Sequence, residues 1–170
     1  MKPNCLIATE IENIEGLKYK LNTYFNLIHD PFMKTEISEH FKIDAVFTNP
    51  NNLSLYWSES VLSKLPNLKV FATASTGTVH VDKNFLASCD IRLVSITTEF
   101  ETLSKISSTS ELAFLLLLST YRHYPQAIES IKGGAWDYSL FTGRQINSLT
   151  LGCLGFGRLG KMYANFCKCF

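Results

Sequence analysis

An α/β fold with a parallel sheet covered on both faces is expected from this chain. Over the first hundred residues, short apolar runs alternate with segments of helical spacing. The runs are continuous rather than alternating, as in strands buried on both faces. Near residue 150 a further apolar run leads into Gly155-x-Gly157-x-x-Gly160 and then into a second amphipathic segment. Hydrophobic residues make up 46% and charged residues 18% of the 170. That is enough apolar surface for a real core and unlike a disordered chain.

The elements follow in order. Cys5-Leu6-Ile7-Ala8-Thr9 is the expected first strand, and 17–21 begins a helix. Residues 24–28 form a second strand and 32–41 a second helix. A third strand, 44–48, ends in Asn49-Pro50-Asn51-Asn52. Helical spacing over 58–65 is closed by Pro66, which cannot continue a helix. The fourth strand, 68–73, runs into Ser75-Thr76-Gly77. A short helix over 81–89, with Asp82 near its start, precedes the fifth strand at 92–96.

A different region begins near Thr98. Ser108-Thr109-Ser110-Glu111 fits the capping-box pattern, in which a hydroxyl caps a helix start and a glutamate reaches back. The helix is expected to run to about Tyr124 and stop at Pro125. Its run Leu112-Ala113-Phe114-Leu115-Leu116-Leu117-Leu118 lies between Glu111 and Arg122, far short of the roughly 20 residues of a membrane span. A helix buried on all sides, inside a domain or at a subunit interface, is expected instead. Residues 128–131 add a helical turn or two before Gly133-Gly134, and 135–148 form an exposed connection. A buried strand then begins at Leu149.

Charge and cysteines narrow the functional classes. A net charge of +1 makes no electrostatic case for nucleic acid or an anionic membrane as partner. Cys5, Cys89 and Cys153 lie in or beside apolar segments, as expected of buried, reduced thiols in a cytoplasmic protein. Cys167-x-Cys169 lacks a second pair or a nearby histidine, so no metal site is expected. The N-terminal residues carry no secretory-signal pattern.

The glycine turn carries the chemistry. A dinucleotide pyrophosphate is anionic and needs donors without bulk in the way. Gly155 permits the tight turn, Gly157 lets the backbone approach the phosphates, and Gly160 lets helix and strand pack closely. The N–H groups near Arg158 and Leu159 then sit at a helix N-terminus, where the dipole favours an anion, and Arg158 adds charge. The acidic residue expected about 20 positions on, which holds the ribose, falls beyond Phe170. The choice between NAD and NADP is therefore left open.

Four segments in order resemble the D-isomer-specific 2-hydroxyacid dehydrogenases, in their N-terminal half. They are 68–82, with Ala74-Ser75-Thr76-Gly77-Thr78 at its centre; 109–118, leading to Arg122; Gly143-Arg144-Gln145-Ile146; and the glycine turn. The resemblance implies a flavodoxin-like substrate domain over 1–98. Residues 99–170 would then hold the crossover helix and the start of a Rossmann NAD(P)-binding domain, with the active site between the domains. It implies that Thr76 and Gly77 bind the substrate carboxylate through backbone N–H groups, and that Gly155, Gly157, Arg158, Leu159 and Gly160 bind NAD or NADP. Val79 departs from the family, which usually has Asp or Asn there. The expected substrate is a small 2-hydroxy or 2-oxo acid, and the expected partner a second copy joined through the 108–124 helix.

The family's catalytic Arg, Glu and His lie after the glycine turn, so none maps onto this sequence. His29, His40, His80 and His123 do not match the catalytic position. His80 reads as a surface or helix-start residue and His123 as the charged end of the long helix. The 170 residues are accordingly expected to be a fragment inactive on its own. The alternative is a non-catalytic binding or oligomerisation module built on the same fold. A flavin-binding protein fits less well, because Thr9-Glu10-Ile11-Glu12 lacks a hydroxyl-rich phosphate loop.

Overall fold

A computed structural model describes residues 1–31, 42–50 and 55–170. It divides into two compact units, Met1–Glu99 and Phe100–Phe170. The helix expected over 32–41 lies outside the described residues.

The first unit is built on five parallel strands: β1 (Asn4–Ala8), β2 (Asn26–His29), β3 (Ala45–Thr48), β4 (Val70–Thr73) and β5 (Arg92–Ser95). Their order is β2-β1-β3-β4-β5, the flavodoxin-like arrangement. Side-chain parity divides β1 between two cores. Leu6 and Ala8 join Val46, Trp57, Leu62, Phe71 and Leu86 on one face. Cys5 and Ile7 join Ile11 and Ala45 on the other, under Leu17 and Leu21. Burying each large apolar side chain contributes about 1.5–3 kcal/mol. Burial also pushes the Cys5 thiol up to about 11, so it stays protonated and inert.

Three helices in the described residues of this unit differ in extent from the sequence expectation. Helix α1 (Leu17–Tyr24) runs three residues further than expected. The Phe25 N–H then closes on the Leu21 carbonyl at 2.9 Å, so β2 starts at Asn26 rather than at Tyr24. Helix α2 is only Glu59–Leu62, because the chain tightens into successive turns ahead of Pro66. Helix α3 (Lys83–Ser88) starts two residues late, with Asp82 outside it as the cap. The Asp82 carboxylate accepts from the Phe85 N–H at 3.0 Å, satisfying one orphan donor of the first turn.

The second unit contains α4 (Phe100–Ser104), α5 (Ser108–Tyr121), α6 (Tyr124–Lys132) and α7 (Arg158–Cys167). Two short 3-10 turns lie between α6 and α7. Helices α5 and α7 meet through Phe114, whose ring lies 6.4 Å from Phe166 and 5.2 Å from Phe170. The Ser110 hydroxyl donates to the Leu159 carbonyl at 2.9 Å, which accounts for a serine as the buried residue of α5.

Four expectations fail in this unit. The capping box does not form as written: Ser107 is the cap position, and its hydroxyl bonds the Glu111 carboxylate rather than a backbone N–H. Helix α5 stops at Tyr121, since His123 takes a left-handed conformation with φ 49°. Pro125 therefore opens α6, where its missing N–H costs nothing. The strand expected at Leu149 is absent: the chain is extended there, but no strand of the described residues pairs with it. Lastly, α5 is not buried all round. Leu112, Leu115 and Leu116 are 55%, 54% and 57% exposed, because no described element covers that side. Of the three thiols expected in apolar surroundings, Cys5 is buried but Cys89 and Cys153 are exposed.

Candidate functional site

Each unit carries one stretch of backbone arranged to meet a ligand. In the first unit it is the loop leaving β4, where the expected carboxylate residues Thr76 and Gly77 are both exposed. Four consecutive carbonyls of this loop are turned back into the protein. The Ser75 carbonyl accepts from the Ile96 N–H at 3.4 Å, and that of Thr78 from the Val81 N–H at 3.5 Å. The Thr76 carbonyl accepts from the Thr97 hydroxyl at 3.0 Å, and the Gly77 carbonyl from the Ser75 hydroxyl at 2.7 Å. The N–H groups of Thr76, Gly77 and Thr78 find no acceptor among the described residues. A run of free N–H groups on one loop is an anion-binding concavity.

His80, expected as a surface or helix-start residue, is a half-buried member of this loop. Its Nε2 lies 3.0 Å from the Thr73 hydroxyl. Its Nδ1 is buried with no hydrogen-bond partner. Burial holds the ring below the ordinary histidine value. Only a histidine following a hydroxyl-rich strand end hinted at this in the sequence. Val79, the family departure, points its apolar side chain into solvent.

In the second unit the glycine turn precedes α7. Gly155 has φ +94°, a conformation that side-chain-bearing residues rarely adopt. A Cβ on Gly160 would meet the Gly155 carbonyl oxygen at 2.2 Å, so this glycine permits a close backbone approach. Gly157 differs from both: a Cβ there would meet nothing within 4 Å, and its φ of −78° suits any residue. Gly157 is the cap position of helix α7, which has no side-chain cap and no acidic residue in its first turn. Its first N–H groups, from Arg158, Leu159 and Gly160, are thus those that a helix leaves without intrahelical partners.

The Arg158 side chain has another occupation. Its guanidinium donates to the Leu103 carbonyl at 2.8 Å and the Ile106 carbonyl at 2.6 Å. These lie at and just beyond the C-terminus of α4, where a cation complements the helix dipole. Arg158 thereby ties the turn to the α4–α5 corner, where the sequence had suggested charge for a phosphate. Nothing in the local sequence shows a partner more than fifty residues upstream. Among the described residues no cluster of His, Cys, Asp or Glu could hold a metal ion. No described helix is long and apolar enough to cross a membrane.

The glycine turn lies within a segment that matches a known family model. Residues 114–170 match the family model for the NAD binding domain of D-isomer specific 2-hydroxyacid dehydrogenases. D-3-phosphoglycerate dehydrogenase of Mycobacterium tuberculosis (strain H37Rv) is 35% identical over 104 residues, which are 61% of this chain and 19% of that protein. Human glyoxylate reductase/hydroxypyruvate reductase is 36% identical over 107 residues, 61% of this chain and 31% of the relative. Among solved structures, D-lactate dehydrogenase from Aquifex aeolicus, in complex with NAD and lactic acid, superposes with a TM-score of 0.79 at 22% identity. That match covers 98% of this chain and 48% of the other. NAD-dependent formate dehydrogenase from Staphylococcus aureus, in complex with NAD, gives a TM-score of 0.77 at 26% identity, over 98% of this chain and 53% of the other. The chain thus spans about half the length of these solved structures and a smaller share of the curated relatives. The chain is thus similar to the D-isomer specific 2-hydroxyacid dehydrogenases, and its C-terminal third matches the model of their NAD binding domain.

Proposed function

We propose that this chain supplies the carboxylate loop and the pyrophosphate turn of an NAD(P)-dependent oxidoreductase acting on the CH–OH group of a D-2-hydroxy acid. The observation that carries this reading is Gly157. Nothing within its unit calls for glycine there, since the space around it is open and its backbone ordinary. A phosphate drawn up against the N-terminus of α7 does call for it. Gly155 and Gly160 hold the turn, and the N–H groups of Arg158 and Leu159 meet the pyrophosphate. In the first unit, Thr76 and Gly77 present their N–H groups to the substrate carboxylate. Bound nicotinamide supplies the hydride acceptor or donor.

The 170 residues by themselves are expected to be inactive, since no histidine of the chain matches the family's proton donor. The free thiols suit a reducing compartment, and we place the protein in the cytoplasm. The test is an amide-resolved NMR titration with NADH and with inorganic pyrophosphate, run beside a nicotinamide absorbance assay with pyruvate or glyoxylate. Weak, saturable shifts confined to 155–160, without turnover, are the expected result. A silent turn would overturn the cofactor reading, and turnover would overturn the inactivity.

The exposed leucines of α5 favour a homodimer through the 108–124 helix, since a contiguous apolar face left in water tends to associate. Changing Leu115 and Leu116 together to Glu is expected to shift the chain to monomer in sedimentation velocity, with the helical circular dichroism retained. An unchanged sedimentation coefficient would remove α5 from the interface. The same leucines carry the second reading, a non-catalytic oligomerisation module. Concentration-dependent association with no response of the glycine turn to NADH would favour it.

A further inference from the structure

We propose that His80 is the positioning residue of the carboxylate loop, heading a one-way hydrogen-bond relay through Thr73 and Ser75 to the Gly77 carbonyl that turns the Thr78 N–H outward for the substrate, beside those of Thr76 and Gly77. The inference rests on the carboxylate reading of that loop and says what holds it in shape.

The direction of the relay follows from counting protons. The Gly77 carbonyl can only accept, and the Ser75 hydroxyl donates to it at 2.7 Å. A hydroxyl has one proton to give. Ser75 must therefore accept at its other contact, with the Thr73 hydroxyl at 2.9 Å. The single proton of Thr73 is thereby spent as well. Its remaining contact, His80 Nε2 at 3.0 Å, must then be one in which the imidazole donates. His80 is fixed as the Nε2–H tautomer, and Nδ1 carries a lone pair. That assignment also suits the surroundings. Buried Nδ1 has no partner, and an unmet lone pair there avoids a buried N–H with no acceptor. The burial that disfavours the charged ring keeps Nδ1 unprotonated.

The first two members of the relay are anchored. Thr73 is buried at the end of β4. The His80 carbonyl accepts from the Trp57 N–H at 2.9 Å, and the Trp57 carbonyl accepts from the Asp82 N–H at 2.9 Å. The His80 backbone is thus held to the largest fully buried residue of the core, while its ring's proton chain reaches the loop tip. Val79, exposed and apolar, contributes no hydrogen bond to this order. The relay turns the Gly77 carbonyl toward Ser75, and the Thr78 N–H, which shares that trans peptide plane, points the other way.

The experiment uses the full chain with 15N labelling. Ring 15N shifts report the tautomer, and amide shifts of Thr76, Gly77 and Thr78 report titration with pyruvate. The wild type is expected to show Nε2–H and saturable shifts at those amides. His80→Ala is expected to weaken pyruvate about fivefold to tenfold, the worth of one hydrogen bond. Ser75→Ala cuts the last link without touching the core and is expected to do the same, with no further loss in the double variant. His80→Gln, whose side-chain amide can donate in place of Nε2, is expected to recover most of the affinity. An Nδ1–H tautomer, or undiminished affinity in both His80→Ala and Ser75→Ala, would overturn the relay. A wild type whose three amides ignore pyruvate would overturn the carboxylate reading, and the ring shifts would still judge the relay separately.

Discussion

Trp57→Ala is expected to lower the melting temperature of the first unit by more than about 10 °C, read from circular dichroism. Trp57 is only 1% exposed and meets Phe71 edge to face at 5.2 Å. Truncating a buried tryptophan costs about 3–5 kcal/mol, a large part of the 5–15 kcal/mol that holds an ordinary domain folded. In a unit of this size each kcal/mol moves the melting temperature by about 4–8 °C. The damage reaches beyond packing, because the Trp57 backbone brackets the segment that carries His80 and Asp82. Trp57→Phe keeps an aromatic edge toward Phe71 and is expected to retain about half of the lost stability, since the cavity is smaller. A melting temperature for Trp57→Ala within 2 or 3 degrees of the wild type, on the order of one conservative substitution, would mean that Trp57 is not a keystone of this core.

Gly160→Ala and Gly157→Ala are expected to part company, though each adds one methyl group to the same turn. At Gly160 the new Cβ would lie 2.2 Å from the Gly155 carbonyl oxygen and 3.3 Å from Cys153 Sγ. Backbone must move, and Gly155, already at φ +94°, is a poor place to absorb it. Overpacking of this kind costs about 1–3 kcal/mol, and both the order of α7 and the response to pyrophosphate are expected to suffer. At Gly157 the methyl meets no protein atom. Gly157→Ala should therefore melt like the wild type and yet lose about tenfold or more in affinity for pyrophosphate or NADH, because the methyl occupies the path of the phosphate. Equal affinity in Gly157→Ala and wild type would show that the open space there serves no ligand.

Much of the first unit was legible because its strands are buried on both faces. Runs such as Leu6-Ile7-Ala8 and Val70-Phe71-Ala72 have few other uses, and the described strands fall within two residues of where those runs put them. The ends of elements were less legible, since they depend on which N–H finds which carbonyl, as Phe25 shows. The second unit was harder for a physical reason. A strand exists only with a neighbour to pair it, so the apolar run at Leu149 says nothing by itself about a ladder. A uniformly apolar helix likewise does not say what covers it, and α5 keeps three leucines in water. In the candidate site, the glycines could be read because their demand is local. The partners of His80 and Arg158 could not, because loop closure and tertiary contact choose them. Arg158 shows the difference plainly: its position in the motif was informative, while its side chain answers to carbonyls at and just beyond the end of another helix.

The strand order has a consequence for how the first unit comes to be folded. β1 leaves the ribosome first but lies second in the sheet, between β2 and β3. Cys5 pairs with Leu27 on one side and Ala45 on the other. At about 5–20 residues per second, β1 waits roughly 2–8 seconds for the second of these neighbours to be synthesised. Throughout that interval an apolar segment with at least one open edge is available to other chains. Every further pairing in the sheet is also parallel and needs its own crossover, which makes assembly slow relative to the locally connected helices that follow. The stretch that becomes the best-protected strand of the mature unit is therefore its most vulnerable one during synthesis.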